Sequence, residues 1–514
     1  MNRTAGILLS ITSLPSKYGI GCFSKSAYDF VDWLKEAGQC CWQILPLGPT
    51  SYGDSPYQSF STFAGNPYFI SLEELIEEGV LTEEECEEAD FGTDAGTVDY
   101  KKQYENRYPL LRKAYERSDI SKKPEYQAFV AENSSWLSDY ALFMAVKDRF
   151  GGAPWTEWAE DIRLRWGNAM DYYRRELYFD IEFQQYLQFT FYKQWRALKA
   201  YANEKGVRLI GDIPIYVAMD SADAWAHPEL FQLDENNQPV AVAGCPPDGF
   251  SATGQLWGNP LYRWEYHRNT GYQWWISRLA HCFRLYDVVR IDHFRGFDEY
   301  YSIPYGADSA VGGHWEKGPG IDLFYRVKQA LGEKEVIAED LGYMTDSVRR
   351  LVRDSGYPGM KVLEFAFDSR DSGCAGDYLP HNYTENCVAY TGTHDNETIA
   401  GWFDSITEEE RTLAREYLCD RYTPEEELYR SFISLVMRSR AFLCIIPMQD
   451  YMGYDNSCRM NRPSTVGENW KWRLKEGELT DSLKKEIRNT TRRYGRLCWQ
   501  WDGKLDLPAG NGEQ

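Results

Sequence analysis

Eight short apolar runs recur along the chain, and each ends in polar, Gly or Pro residues. Amphipathic stretches with helical periodicity separate most of these runs. The runs are residues 6–14, 41–49, 207–218, 286–292, 335–342, 360–367, 386–396 and 441–448. Continuous apolar strands that alternate with helices are typical of a parallel sheet covered on both faces. Eight such units predict an α/β protein with a closed (β/α)₈ TIM barrel.

An open doubly wound sheet is the structural alternative to a barrel. Such a sheet normally carries a Gly-rich phosphate-binding turn after its first strand. Residues 13–21, SLPSKYGIG, match neither G-x-G-x-x-G nor a P-loop. This mismatch favours the barrel.

Two amphipathic stretches carry clear signals for helix ends. Residues 24–37 begin with a Ser cap and are followed by Gly. Residues 423–439 begin with Thr, which is followed by Pro at the first helical position and by Glu426 as the acidic member of a capping box. We expect each stretch to form a helix from its cap onward.

The spacing of the apolar runs is uneven, which indicates insertions in the barrel loops. Roughly 160 residues separate the second run from the third, too many for one crossover. This gap contains capped acidic helices at 71–79 and 82–89. We expect a single catalytic barrel domain over 1–514 without a C-terminal β-sandwich. Its predicted insertions are helical subdomains at about 66–195, an active-site loop at about 219–270 and a small insertion at about 297–325.

Composition and charge narrow the classes of function. The chain is 43% hydrophobic, which is ample for a buried core. It has 56 Lys and Arg against 78 Asp and Glu, a net charge of −22 without a basic stripe. A nucleic-acid-binding protein needs positive charge over its footprint, so we expect no nucleic-acid partner. An acidic surface suits a protein with a neutral ligand.

Targeting signals and cysteines bear on the compartment. The N-terminal apolar run is too short for a signal peptide, and the longest apolar stretches, such as 441–448, are far below membrane-spanning length. The 12 cysteines are scattered without a paired CxxC framework, as expected for reduced thiols. We therefore expect a cytoplasmic protein without a membrane partner.

Charged side chains gather at the carboxyl ends of the predicted strands, where barrel active sites form. Arg290 and Asp292 lie two residues apart, so on a strand they point to the same face. A fixed cation there keeps the carboxylate of Asp292 ionised and orients it. Glu339 has no basic neighbour in the sequence, and Asp340 beside it must face the other way. This contrast predicts Asp292 as a nucleophile and Glu339 as a proton donor, the pair used in glycoside chemistry.

A structural interpretation competes with this one. An ion pair at a strand end explains residues 287–296 equally well when they are considered alone. What changes the balance is that further strand ends carry acids in the same way. They are Asp212, Glu339 and Asp395, the last preceded by His394.

Three of these segments resemble a known family. Residues 289–296 (VRIDHFRG), 337–342 (IAEDLG) and 391–398 (TGTHDNET) are similar to the conserved regions of the α-amylase clan. More closely they resemble glycoside hydrolase family 77, the amylomaltases or disproportionating enzymes (4-α-glucanotransferases). The resemblance continues through residues 10–21, 53–68, 211–218, 244–260 and 459–473.

The resemblance implies a role for each residue of the site. Asp292 matches the nucleophile, Glu339 the acid/base and Asp395 the third carboxylate, which favours the distorted form of the sugar. The substrate-binding positions are Arg290 and His394 around the nucleophile and this sugar, Asp212 in support, Tyr57 stacked on the sugar, and Trp257 on a loop over the acceptor side. The seven His show no HExxH or similar metal-binding spacing, so we expect neither a metal nor a cofactor.

The implied mechanism is double displacement, in which a glucan segment passes to Asp292 and then to the 4-hydroxyl of an acceptor. A retaining pair of carboxylates stands about 5–5.5 Å apart. Transfer exceeds hydrolysis only if a sugar occupies the acceptor side and excludes water, and residues 244–260 are the predicted lid. The implied substrates are maltooligosaccharides and starch-like glucans, and the implied context is starch, glycogen or maltodextrin metabolism. We expect a monomer or homodimer.

Three other functions compete with the transferase. A retaining α-glucan hydrolase would use the same residues. A magnesium-dependent lyase or isomerase could use three strand-end acids, but it also needs a strand-end Lys or His base, and Arg290 beside Asp292 opposes a dication. A glucan-binding protein without activity is disfavoured because all three acids are retained.

Overall fold

Eight strands of the chain close into a parallel barrel. The structure is a computed structural model that describes residues 3–51, 53–247, 252–342, 344–369 and 375–497. The strands of these residues are β1 (Thr4–Leu8), β2 (Cys41–Gln43), β3 (Arg208–Pro214), β4 (Ala241–Cys245), β5 (Gln255–Pro260), β6 (Val288–Asp292), β7 (Glu299–Pro304), β8 (His314–Lys317), β9 (Val336–Ala338), β10 (Gly359–Val362), β11 (Cys387–Tyr390) and β12 (Leu443–Pro447). The barrel order is β1-β12-β11-β10-β9-β6-β3-β2. Every barrel strand overlaps one of the eight apolar runs, so the predicted TIM barrel is confirmed.

Helices surround the barrel and fill the insertions. Those of the described residues are α1 (Lys25–Glu36), α2 (Leu72–Glu77), α3 (Glu83–Glu87), α4 (Tyr100–Arg117), α5 (Pro124–Glu132), α6 (Ser134–Arg149), α7 (Glu160–Arg163), α8 (Gly167–Glu176), α9 (Tyr178–Glu204), α10 (Ala222–Ala226), α11 (Trp264–Asn269), α12 (Gln273–Leu285), α13 (Ile321–Leu331), α14 (Asp346–Ser355), α15 (Ile399–Ser405), α16 (Glu408–Leu418), α17 (Leu428–Met437), α18 (Met448–Tyr451) and α19 (Asp481–Arg493). No described helix is both long enough and apolar enough to cross a membrane.

One of the two predicted helix starts is correct. Helix α1 follows its Ser24 cap and ends before Gly38, whose φ of 75° is the left-handed conformation that favours glycine. The predicted start of the other helix is wrong. Pro424 is extended, with φ −53° and ψ 148°, and α17 begins only at Leu428, after a 3₁₀ turn. The amide of Thr423 donates to the carboxylate of Asp420, which holds this segment in a turn in place of the capping box.

The insertion between β2 and β3 is helical, and its last helix also covers the barrel. The 27 residues of α9 contact α4, α5, α6 and α8 of the insertion and also α1 and β3 of the barrel. A long helix shared in this way ties the insertion to the barrel wall. The boundaries of the inserted subdomains stay a prediction.

A second sheet, which the sequence did not predict, joins the other two insertions. Strands β4, β5, β7 and β8 form an antiparallel sheet in the order β5-β4-β7-β8. Its own small apolar core consists of Val242, Tyr301, Ile303 and Ala310. Pairing of β4 with β7 therefore brings residues 219–270 and 297–325 together. Among the described residues no strand follows β12.

Candidate active site

A buried arginine connects two carboxylates at the ends of β3 and β6. The parallel register places Asp212 opposite Arg290. The Nη1 of Arg290 lies 2.5 Å from Asp212 Oδ2, and its Nη2 lies 3.0 Å from Asp292 Oδ1. The side chains of Asp212 and Arg290 are 0% and 2% exposed, whereas that of Asp292 is 27% exposed. Of the three charged groups, only Asp292 is therefore accessible to a substrate.

The charge on Asp292 results from opposing effects. Burial raises the pKa of Asp292 to about 6, and the guanidinium of Arg290 opposes this rise. The nearby charges of Asp212 and Asp395 raise it further. Arg290 therefore favours the ionised form of Asp292, although the same guanidinium also contacts the buried Asp212. Asp292 is still mostly ionised at neutral pH.

Glu339 follows β9 and is fixed beside Asp292 by the backbone. The amide of His293, the residue after Asp292, donates to Glu339 Oε2 at 2.7 Å, and the amide of Leu341 donates to Oε1 at 2.7 Å. Burial and the charge of Asp292 raise the pKa of Glu339 to about 7. Glu339 is therefore the more readily protonated of the two acids.

The neighbouring acid Asp340 points away from this pair, as expected. Its Oδ1 accepts a hydrogen bond from the amide of Met360 on β10 at 2.7 Å. A side chain on Gly359 would collide with this carboxylate. Asp340 therefore closes the seam between β9 and β10 and is not part of the carboxylate pair.

Asp395 lies on the loop after β11 and carries a stable negative charge. His394 Nε2 lies 3.3 Å from Asp395 Oδ2, and the side-chain amide of Asn461 donates to Oδ1 at 2.6 Å. Burial opposes ionisation, but His394 and Asn461 outweigh it and hold the pKa of Asp395 well below its usual range. Burial disfavours the imidazolium of His394, but the carboxylate of Asp395 outweighs this effect and raises the pKa of His394. Asp395 is thus a fixed anion.

Tyr57 connects this loop with the buried ion pair. Its hydroxyl donates to Asp212 Oδ2 at 2.8 Å, and its ring stacks on that of His394 with centroids 5.1 Å apart and planes 16° apart. The ring of Trp470 lies 5.9 Å away at a tilt. Tyr57 therefore forms part of an aromatic wall at the carboxyl ends of the strands.

Trp257 lies on β5, at the edge of the second sheet that faces the carboxylate pair. Its ring packs edge-on against His293, with centroids 4.9 Å apart and planes at 89°. Since the amide of His293 also donates to Glu339, Trp257 lies on the Glu339 side of the pair. Residues 248–251 of the predicted lid lie outside the described residues.

All eight predicted site residues are thus joined by direct contacts or through one intervening residue. In the described part of the chain, no group of three His, Cys, Asp or Glu has the geometry of a metal site. The arrangement offers an ionised carboxylate, a readily protonated carboxyl group beside it and a second fixed anion. Such a set can perform nucleophilic attack with general acid/base assistance.

Comparison with known proteins identifies the family. The model of glycoside hydrolase family 77, described as 4-alpha-glucanotransferase, matches residues 9–480. The chain belongs to glycoside hydrolase family 77. The 4-alpha-glucanotransferase of Streptococcus pneumoniae serotype 4 is 48% identical over 500 residues, 96% of this chain and 98% of that protein. The 4-alpha-glucanotransferase of Thermus thermophilus is 45% identical over 504 residues, 96% of this chain and 99% of that protein.

Solved structures agree with this membership of family 77. The amylomaltase from Streptococcus agalactiae, solved in complex with acarbose, is 42% identical and superposes with a TM-score of 0.93 over 96% of this chain and 100% of that one. The amylomaltase from Corynebacterium glutamicum is 20% identical with a TM-score of 0.72 over 96% and 74% of the two chains, and this likeness shows the fold alone. The resemblance predicted from the sequence is confirmed.

Sequence reasoning missed several groups that surround the site of this family 77 chain. They are His293, Arg459, Asn461 and Trp470. Arg459, Asn461 and Trp470 lie in the 459–473 segment, which resembled the family without suggesting individual roles. His293 acts through its backbone amide, and its left-handed φ of 52° is not evident from residue type. Neither periodicity nor spacing marks these positions.

Proposed function

We propose that this chain is a 4-alpha-glucanotransferase that moves a segment of a 1,4-α-glucan to the 4-hydroxyl of an acceptor glucose or glucan. Relatives that bear this name align with nearly the whole chain. The observation that supports the chemistry is the hydrogen bond from the His293 amide to Glu339. This bond ties the proposed proton donor to the residue that follows Asp292, the proposed nucleophile.

In the proposed first step, the carboxylate of Asp292 attacks the anomeric carbon while Glu339 protonates the departing glycosidic oxygen. The donor side of the glucan becomes bound to Asp292 as an ester. Glu339, now ionised, next removes the proton of the acceptor 4-hydroxyl, and that oxygen displaces Asp292. The pKa values of about 6 for Asp292 and about 7 for Glu339 provide the required protonation states near neutral pH.

The other residues stabilise charge and exclude water. Arg290 holds Asp292 in place. Asp212 holds Arg290 and accepts a hydrogen bond from Tyr57, whose ring packs against His394. Asp395 presents a fixed anion to the sugar as positive charge develops on its ring. Trp257 supplies an aromatic face beside Glu339 for an acceptor sugar. An acceptor held there would exclude the water that a hydrolase needs. The cytoplasmic location and the monomeric or dimeric state stay predictions from the sequence.

Product analysis with maltotriose tests the activity. Transfer yields glucose together with a ladder of longer oligomers, whereas glucose and maltose alone would indicate hydrolysis and contradict the proposal. We expect Asp292→Asn to abolish the ladder. The matched control is Asp340→Asn, which changes a carboxylate that faces β10 and should keep activity within about threefold.

Trapping the covalent intermediate tests the roles of the two acids. We expect Glu339→Gln to react with maltosyl fluoride, because fluoride leaves without a proton, and then to stall for lack of a base. The intact mass should rise by one maltosyl group, and peptide mapping should place the group on Asp292. A label on another residue, or none in this variant while wild type turns over, would refute the assigned roles.

A further inference from the structure

The third carboxylate is held by a segment that lies far from it in the sequence. The amide of Asn461 donates to the carbonyl oxygen of His394 at 3.1 Å, and its side chain donates to Asp395 Oδ1 at 2.6 Å. Nη2 of Arg459 donates to the carbonyl oxygen of Asp395 at 2.7 Å, and its Nε donates to that of Asn461 at 2.7 Å. Both the backbone and the carboxylate of Asp395 are therefore tied to residues 459–461.

This attachment matters because Asp395 is partly open to the cleft. Its side chain is 43% exposed, and a terminal carboxylate rotates freely about its last bond unless a partner fixes it. His394 lies near Oδ2, but only Asn461 donates a side-chain hydrogen bond to Oδ1 among the described residues. An amide nitrogen can only donate, so the residue type at 461 fixes the direction of this bond.

We propose that Asn461 is the positioning residue of Asp395, and that Arg459 fixes the peptide on which Asp395 is carried. The inference rests on the proposed function, in which Asp395 stabilises the distorted sugar. Asn461 acts through the orientation and charge of Asp395. Its loss should therefore reduce kcat far more than it changes KM.

The charged and titratable groups around this contact decide how a carboxylate at position 461 would behave. They are His394 and Glu397 on the loop of Asp395, Arg290 and Asp292 on β6, Asp212 on β3, Tyr57, Glu364 after β10, and Arg459 with Arg462. Positive and negative groups both surround the contact between Asn461 and Asp395. No single cation would therefore keep two adjacent carboxylates ionised at this place. Two carboxylates this close share one proton until the pH is high enough to remove it.

Asn461→Asp is therefore a pH-dependent replacement. While the pair holds one proton, the introduced carboxyl group donates to Asp395 as the amide did. When that proton is lost, the donor becomes a second anion. We expect kcat of Asn461→Asp, divided by that of wild type at each pH, to fall steadily between about pH 5 and pH 9. Asn461→Ala lacks the donor at every pH, and its kcat should be lower by about ten- to hundredfold, as for a lost hydrogen bond to a charge.

Two further variants complete the experiment with maltotriose as substrate. Asn469→Asp adds the same charge in the same segment, where Asn469 bonds Arg462 and Thr465 but not Asp395. Its ratio to wild type should not depend on pH. Asp395→Asn measures the full loss of the third carboxylate.

The outcomes separate this inference from the proposed function. A pH-independent ratio for Asn461→Asp, or Asn461→Ala with kcat within about twofold of wild type, would overturn the positioning role. Substantial transferase activity in Asp395→Asn would instead refute the assignment of Asp395 itself. If Asn461→Ala is also less stable than wild type in urea, the pH dependence of the kcat ratio of Asn461→Asp to wild type tests the positioning role, because a purely structural role predicts no such dependence.

Discussion

At the scale of single residues, the site depends on how Arg290 divides its charge between two acids. One guanidinium contacts Asp212, which is inaccessible, and Asp292, which faces the cleft. Burial of Asp292 would raise its pKa further if Arg290 did not oppose it. Arg290, whose planar, forked side chain contacts both acids, thus helps to keep Asp292, the proposed nucleophile, ionised near neutral pH.

We expect Arg290→Lys to shift the acidic limb of the profile of kcat/KM against pH to higher pH. A lysine cannot contact both acids in the same way, so Asp292 loses part of the effect that lowers its pKa. The proposed mechanism requires ionised Asp292 and protonated Glu339, so we expect kcat/KM of wild type to fall below about pH 6 and above about pH 7. The apparent limbs belong to the coupled pair of acids. We expect the acidic limb of the variant to move to higher pH, measured as kcat/KM for maltotriose against pH.

Arg107→Lys is the matched control for this change. Arg107 is a buried arginine of α4 that donates to the carbonyl oxygen of Ile70, away from the carboxylate pair. Its replacement should lower stability without moving either limb of the profile. An unchanged acidic limb in Arg290→Lys would show that Arg290 does not set the charge of Asp292.

Sequence reasoning at this scale predicted the side chains that meet at the strand ends. Asp292 and Glu339 terminate apolar runs, and a barrel brings such ends together by necessity. The extent of burial could not be predicted, because it depends on the packing of the whole mouth. The partner of Asp395 could not be predicted either, since Asn461 lies in an irregular loop 66 residues further along the chain.

At the scale of elements, the local sequence pattern predicts the barrel strands, but it does not predict pairing between distant segments. Continuous apolar runs predicted all eight strands, because both faces of each strand are covered. The antiparallel sheet of β4, β5, β7 and β8 was missed, because its pairing joins two separate insertions over long sequence distances. The helix predicted to begin at residue 423 begins at Leu428, because the amide of Thr423 donates to Asp420 in a turn.

Strand β3 offers a test of packing at the mouth. Gly211 precedes Asp212, and a Cβ at this position would lie 2.2 Å from the ring of the buried Tyr286. Gly211→Ala must displace this ring or the strand, so we expect a loss of about 1–3 kcal/mol in the free energy of unfolding by urea. Gly167→Ala at the start of α8 is the control, since nothing lies within 4 Å of its added Cβ. Equal stability of the two variants would contradict this packing.

At the scale of the whole molecule, buried acids are concentrated at one end of the barrel. Besides the carboxylate pair, Glu364 and Asp450 lie near the ends of β10 and β12, 7% and 1% exposed. Burial, together with the charge of Asp450, raises the pKa of Glu364 well above its usual range. Such a cluster costs stability that an apolar mouth would not.

Asp450 shows how this cost depends on pH. Its Oδ1 accepts from the amide of Ile399 and its Oδ2 from the hydroxyl of Thr391, yet burial raises its pKa to about 7. In the unfolded chain an Asp has a pKa near 4, so between about pH 4 and pH 7 only the folded state holds this proton. The stability that Asp450 contributes is complete below pH 4 and is lost as the pH rises to about 7.

Asp450→Asn removes this titration, since the neutral amide resembles the protonated acid. The variant should gain stability relative to wild type as the pH rises from about 4 to 7, by roughly 4 kcal/mol in total, and the difference should be constant above pH 7. Urea unfolding at several pH values measures it, with Asp171→Asn on the exposed face of α8 as the control. If the difference between variant and wild type were the same at pH 4 and pH 7, Asp450 would not hold a proton in the folded state. Burial would then not be enough to keep an acid protonated at this end of the barrel.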